Sequence, residues 1–247
     1  MSARIFPIRS ALGHWHLLER DGDAVLIDAG FLRAPGAVER ACTRAGILPT
    51  AIRAVLLTHG HLDHIGYLSE LRAMTGAKVL AHRLEVPHVE QRWSYRGASR
   101  MCGWLERLGT TVLGLQAGTV DATFEEDELL PFCGGLRVVP LPGHTVGHCG
   151  FWLEEERLLF TGDLFANHPW SAHPPPYFLN SQPEAMASSL SRAAALNAER
   201  VVPNHYMNGD FTMHARALQR LAERKGLQAH MNNAEVNRVK SGSSTEI

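Results

Sequence analysis

The sequence predicts an α/β fold. Short apolar runs, such as those at 24–27 (Ala-Val-Leu-Ile) and 54–57 (Ala-Val-Leu-Leu), are interspersed with segments of helical spacing, and several runs stop abruptly on turns rich in His, Asp, Gly and Pro. A continuous apolar run marks a strand covered on both faces. Strands of that kind need a packed layer, helix or sheet, on each face.

The elements follow in order. Residues 12–19 form a short mixed strand, and 24–27 an apolar one ended by Asp28-Ala29-Gly30. Helical spacing over 35–46 places Val38, Ala41, Cys42 and Ala45 on one face, with Gly46 as the stop. The strand at 54–57 halts at Thr58-His59-Gly60-His61; a helix over 67–75, capped by Gly76, and a strand over 78–81 come next. From 84 to 108 the pattern is helical but interrupted. Strands are expected over 136–141, 148–153 and 158–160, the last feeding Thr161-Gly162-Asp163. A helix over 183–196, a strand at 201–202 and an amphipathic helix over 211–225 complete the order. The helices can cover two packed sheets, so layer logic permits an αββα sandwich beside a three-layer α/β fold. Residues 231–247 are polar with no apolar face, and disorder is expected there. Residues 1–230, without repeat or linker, read as one domain.

Composition narrows the function. The chain is 45% hydrophobic and 20% charged with a formal net charge of -1, so nothing points to nucleic acid as a partner. No run of ~18 apolar residues is present to span a bilayer. The residues from Met1 to Ser10 lack the apolar stretch of a signal peptide. Cys42, Cys102, Cys133 and Cys149 show no CxxC spacing and are expected as free thiols in a reducing cytoplasm. A small-molecule substrate is the expected partner, and a homo-oligomer is compatible with the composition.

Histidine is the outlier, with 14 in all. The segment Thr58-His59-Gly60-His61-Leu62-Asp63-His64 places four metal-competent side chains within six residues, just past a buried strand. Strand ends are where α/β folds aim several side chains into one crevice. Imidazole with carboxylate suits zinc, iron or manganese better than calcium or magnesium. In an extended turn His59 and His61 can face one ion, while Asp63 and His64 can face a second. Three later residues share the strand-end context: His144 in Pro142-Gly143-His144-Thr145, Asp163 in Thr161-Gly162-Asp163, and His205 in Pro203-Asn204-His205.

This ordered set resembles the metallo-β-lactamase superfamily from Asp28 to His205. The resemblance implies a four-layer αββα sandwich with two divalent ions in a groove at one edge of the sheets, zinc being expected and iron or manganese compatible. It assigns His59, His61 and His144 to the first ion, Asp63, His64 and His205 to the second, and Asp163 to both. It also implies that Asp63 and Asp163 would be the catalytic carboxylates. Asp28 would brace the histidine loop from behind, and His148 is expected to support the site or pack beside it. Pro142 to Phe165 is most similar to the glyoxalase II-like branch. An aspartate at 163, where antibiotic-hydrolysing members carry cysteine, argues against a β-lactamase. Glyoxalase II grips glutathione with a sizeable C-terminal helical region, whereas one helix and a tail follow His205, so the glutathione thioester is not carried over. Quorum-signal lactonases carry a tyrosine where Ala166 stands.

Asn167, His168 and His173 follow Asp163 closely and are expected near the groove mouth, on the substrate side. The stretch around Trp93, Tyr95, Arg96, Arg100 and Trp104 fits a helical lid or a subunit contact; in a lid, Arg96 or Arg100 can receive a substrate carboxylate or phosphate. Two ions sharing a water lower its pKa towards neutrality, which predicts hydrolysis of an ester, lactone or thioester by hydroxide. The rival reading is a sulfur (persulfide) dioxygenase with one iron on His59, His144 and Asp163, which would leave Asp63, His64 and His205 unused.

Overall fold

The computed structural model describes residues 2–31, 35–91, 95, 99–116, 118–168 and 171–242, with backbone alone at 35 and from 227 onward. Strands β1 (Arg4–Arg9), β2 (His14–Arg20), β3 (Asp23–Ile27), β4 (Ile52–Leu56), β5 (Lys78–His82) and β6 (Ala122–Phe124) pair in that order. The β1–β2–β3 part is antiparallel, and β3 to β6 run parallel. The second sheet takes β7 (Leu129–Leu130), β8 (Leu136–Pro140), β9 (Cys149–Leu153), β10 (Leu158–Gly162) and β13 (Arg200–Pro203). Its pairs are antiparallel except β10 with β13. A small hairpin joins β11 (Ala166–His168) to β12 (Ser171–His173). The helices are α1 (Pro35–Ala45), α2 (Leu62–Ile65), α3 (Leu68–Thr75), α4 (Val86–Val89), α5 (Arg100–Leu113), α6 (Met186–Ala195) and α7 (Phe211–Gly242).

The period-two alternation of strands sorts the apolar runs into layers. Leu18, Val25, Ile27, Ala54 and Leu56 of the first sheet meet Leu136, Val138, Phe151, Phe160 and Val202 of the second. Their chain neighbours Leu17, Leu26, Val55 and Leu57 point the other way, against Val38 and Ala41 of α1 and Leu68 and Leu71 of α3. On the far side, Val139, Trp152, Leu159 and Val201 pack with Leu190 and Ala193 of α6 and Leu218 and Leu221 of α7. Both faces of both sheets are therefore buried. The architecture is the four-layer αββα sandwich.

The short strands β6, β7, β11 and β12 were not anticipated, and three further features differ from the sequence expectation. The edge strand β1 was not anticipated as a separate element, because Pro7 interrupts its pattern; proline is tolerated at an edge, where one side of the backbone needs no ladder partner. The interrupted stretch from 84 resolves into α4 and a helix α5 that runs to Leu113. Finally, α7 continues through Gly242, into the stretch where disorder was expected. No proline interrupts 227–242, and extending a helix already anchored by packing avoids the cost of nucleation.

The strand directions position the site. The C-terminal ends of β8, β10 and β13 lie along one edge of the second sheet, because β8 and β10 both run antiparallel to β9 and β13 runs parallel to β10. The ends of β3 and β4 lie together in the first sheet. The loops after these five strands carry Asp28, His59, His144, Asp163 and His205.

Candidate metal centre

The chain gathers its candidate ligands into two adjoining groups. In one, ligand atoms of His59, His61 and His144 lie within 4.8 Å of one another; in the other, those of Asp63, His64, Asp163 and His205 do the same. Asp163 links them. Its Oδ2 is 3.0 Å from His205 Nε2 and 3.6 Å from His144 Nε2, and its Oδ1 is 3.3 Å from His64 Nε2. These are the two sets the sequence pattern predicted.

The imidazoles are oriented from behind. His64 Nδ1 donates to Asp28 Oδ2 at 2.9 Å, His144 Nδ1 to Asn180 Oδ1 at 3.0 Å and His205 Nδ1 to the Leu12 carbonyl at 2.9 Å. His59 Nδ1 lies 3.0 Å from Thr58 Oγ1, which in turn donates to Asp28. One buried carboxylate therefore sets the tautomer of a histidine in each group, the role expected of Asp28. Asn180 was not anticipated; its amide donates to the Pro175 and Pro176 carbonyls, which leaves its oxygen for His144. With Nδ1 engaged as a donor, Nε2 of His59 and His144 carries the lone pair, whereas Nε2 of His205 donates to Asp163 Oδ2 at 3.0 Å. The Nε2 atoms of His59, His61, His64 and His144 are buried and have no hydrogen-bond partner. Buried polar atoms are rarely left so, and several converging on one point fit divalent cations.

The electrostatics agree with that fit. Burial pushes His59 and His61 well below the ordinary imidazole range and lowers His144, so this group offers neutral nitrogens. The second group favours positive charge. Asp163 raises His205 to about 10; burial opposes a charge on His64, yet Asp163, Asp63 and Asp28 outweigh it and hold His64 well above its usual value. Burial likewise takes His148 down to about 4. Its Nδ1 donates to the Leu141 carbonyl at 2.8 Å and its Nε2 accepts the Asp163 N–H at 3.0 Å. His148 thus holds the backbone of Asp163 in place.

Two acidic residues that sequence reasoning missed complete the support. Along the histidine loop, Asp28 accepts the Thr58 N–H, Glu85 the Gly60 N–H and Glu106 the Leu62 N–H, at 2.8, 2.8 and 3.1 Å. Glu85 also accepts the Gly147 N–H at 2.8 Å, joining the His59–His61 loop to the His144–His148 loop. Gly60 has a steric reason as well: a Cβ there would lie 2.5 Å from His88 Cβ. Glu106 takes a further hydrogen bond from the Tyr95 hydroxyl, and Tyr95 stacks on His61. Nothing in the sequence marks Glu85 or Glu106 except an acidic residue at a position that turns out to be buried.

The centre opens into a cavity of about 480 Å³ lined in part by Leu12, Phe31, Leu105, Glu106, Phe165, His168, His173 and Leu179. His168 and His173 sit where a substrate-side role was expected, their rings 5.5 Å apart. Other substrate-side expectations need correction. Asn167 is buried away from this cavity, and its backbone N–H bonds the His205 carbonyl. Arg100 is exposed and off the lining. Trp104 is 63% exposed with Met101, Leu108 and Val112 on the outer face of α5, while Cys102, Leu105, Glu106 and Gly109 face the cavity. The lid and contact readings thus fall on opposite faces of one helix. Trp93 and Arg96 lie outside the described residues.

A family model described as the metallo-beta-lactamase superfamily matches residues 11–205. The chain belongs to the metallo-β-lactamase superfamily. It is 26% identical over 196 residues to the probable metallo-hydrolase YflN of Bacillus subtilis, covering 73% of this chain and 74% of that one. It is 29% identical over 167 residues to the hydroxyacylglutathione hydrolase GloC of Haemophilus influenzae, covering 66% and 72%. The solved structure of TTHA1623 in a di-iron-bound form superposes with a TM-score of 0.66 at 28% identity, covering 86% of this chain and 98% of that one. Kinship of this extent makes this metallo-β-lactamase superfamily member an enzyme of the metallo-hydrolase kind, with glyoxalase II-like relatives.

Proposed function

We propose that the protein is a dinuclear metal-dependent hydrolase that cleaves an ester, lactone or thioester. The observation that carries this reading is the convergence of five histidines and two aspartates in two adjoining sets, with buried Nε2 atoms lacking partners. His59, His61 and His144 would hold one divalent ion, Asp63, His64 and His205 the other, and Asp163 both. Zinc suits these donors, and iron and manganese do too; the di-iron form of TTHA1623 supports a two-ion site. When bound, such ions supply hydroxide at neutral pH and a positive centre for the oxygen of the scissile carbonyl. Asp63 and Asp163 lie on the cavity lining, so the ions they would hold would face the substrate. Asp28 and His148 keep the ligands oriented. The four cysteines are free and buried, which supports a reducing, cytoplasmic setting. Among the described residues no helix is long and apolar enough to cross a membrane.

The completeness of the second set supports hydrolysis over a mononuclear sulfur dioxygenase, which has no use for Asp63, His64 and His205. Zinc- or manganese-loaded protein is expected to bind two ions per chain and to cleave activated esters, lactones or thioesters without oxygen, and His205→Ala to remove most of that activity. Oxygen uptake with glutathione persulfide by iron-loaded protein, surviving His205→Ala and without anaerobic cleavage of any ester, overturns the reading.

A further inference from the structure

We infer that the substrate carries an uncharged, apolar chain on one side of the bond that is cut. This rests on the hydrolase reading and narrows its substrate class. A scissile carbonyl must sit at the floor of the cavity, beside Asp63 and Asp163, so the groups flanking it meet the remaining walls. Those walls are formed largely by Leu12, Phe31, Leu62, Leu105, Phe165 and Leu179. Leu12 and Leu105 are 56% and 49% exposed, and exposed leucines facing a concave site are what an apolar ligand covers. Two of the polar groups on the walls already have partners. Glu106 accepts the Tyr95 hydroxyl and the Leu62 N–H, and His173 Nδ1 donates to the Pro174 carbonyl.

Charge points the same way. Among the described residues no lysine or arginine lines the cavity, whereas Asp63, Glu106 and Asp163 do. Away from the metal ligands, a substrate tail bearing carboxylates would therefore meet leucine, phenylalanine and Glu106, with no lysine or arginine to pair with. The cavity of about 480 Å³ lies within the ~300–1,000 Å³ of small-molecule sites, so a chain of several carbons fits.

Two ester series on metal-replete protein test the inference: p-nitrophenyl esters from acetate to octanoate, and alkyl thioacetates of increasing chain length. In at least one series kcat/KM is expected to rise about fourfold per added methylene, the factor equivalent to ~0.8 kcal/mol per buried methylene. p-Nitrophenyl hemisuccinate is expected to fall below the butyrate ester. Binding gives a readout independent of turnover. By titration calorimetry, octanamide is expected to bind at least tenfold more tightly than succinamate, with a negative heat-capacity change. Leu105→Lys and Leu12→Lys should each lower the octanoate-to-acetate ratio at least fivefold. Cleavage that is flat with chain length in both series, or that favours hemisuccinate, overturns this inference and leaves the hydrolase reading intact. If metal-replete protein cleaves no ester or thioester, the hydrolase reading fails, and calorimetry still decides whether the cavity prefers apolar chains.

Discussion

Glu85 offers the sharpest test of how the metal loops are held. It is fully buried, its two oxygens accept the amides of Gly60 and Gly147, and His88 Nδ1 lies 3.6 Å away. Glu85→Gln keeps the shape and removes one acceptor, because the new NH2 must face an amide N–H. One charge-assisted bond becomes neutral and one buried donor is stranded. At ~1.5–3 kcal/mol for a charged hydrogen bond and ~1–3 for an unsatisfied buried group, the loss is about 3 kcal/mol. A second route gives the same order. Burial alone would raise the Glu85 carboxyl, but His88 and the surrounding donors pull it from 4.5 down to about 2, a shift equivalent to about 3 kcal/mol. In a domain of this size that lowers Tm by about 6–12 °C. The sign with pH follows. A depressed carboxyl stabilises fully above its unfolded value of 4.5, and the contribution fades as pH falls through the folded value of about 2. The gap between wild type and Glu85→Gln, followed by circular dichroism on metal-free protein, should be constant above pH ~5 and should narrow below it. Because both histidine loops lose their shared anchor, metal affinity measured against a competing chelator should fall about tenfold or more. A variant that melts within ~1 °C of wild type and binds metal equally well would refute the bridging role.

Two other substitutions test neighbouring parts of the reasoning. Asp28→Asn, which cannot accept from both Thr58 and His64 as the carboxylate does, should weaken metal binding by about 10–100-fold; unchanged affinity would mean the ligands are oriented without it. Trp104→Ala, on the outer face of α5, should leave KM and metal content unchanged, and a raised KM would place that side chain at the cavity after all.

The fold and the candidate ligands were legible for one shared reason. Runs such as 54–57 are apolar without a break because both faces of the strand are covered, and a ligand-rich turn directly after such a run can only sit at a sheet edge. His144, Asp163 and His205 are weak signals alone, but each follows a strand in the same way. The supports were not legible, because nothing local encodes them. Glu85 meets Gly60 across 25 residues and Gly147 across 62, and Asn180 meets His144 across 36. In sequence Glu85 and Glu106 look like the solvated acids of a polar helical stretch. Trp104 shows the converse ambiguity: aromatic and arginine enrichment marks α5 as unusual but does not say which side of the helix faces the cavity.

The HxHxD spacing acquires a physical meaning from those supports. In an extended segment alternate residues share a direction, and alternate amides share an edge. His59, His61 and Asp63 contribute side chains to the centre, while the amides of Thr58, Gly60 and Leu62 are taken in turn by Asp28, Glu85 and Glu106. From 58 to 63 the odd side chains face the centre and the even amides fix the backbone, while His64, within α2, adds a further side chain to the centre. These three carboxylates come from the loop after β3, the turn before α4 and α5, all on the side of the first sheet. His144, Asp163 and His205 come from the second. The sheets are stitched at this edge by Glu85 to Gly147 and by the Cys149 N–H to the Thr58 carbonyl at 3.0 Å. Both half-sites are therefore held in register by hydrogen bonds of the chain itself.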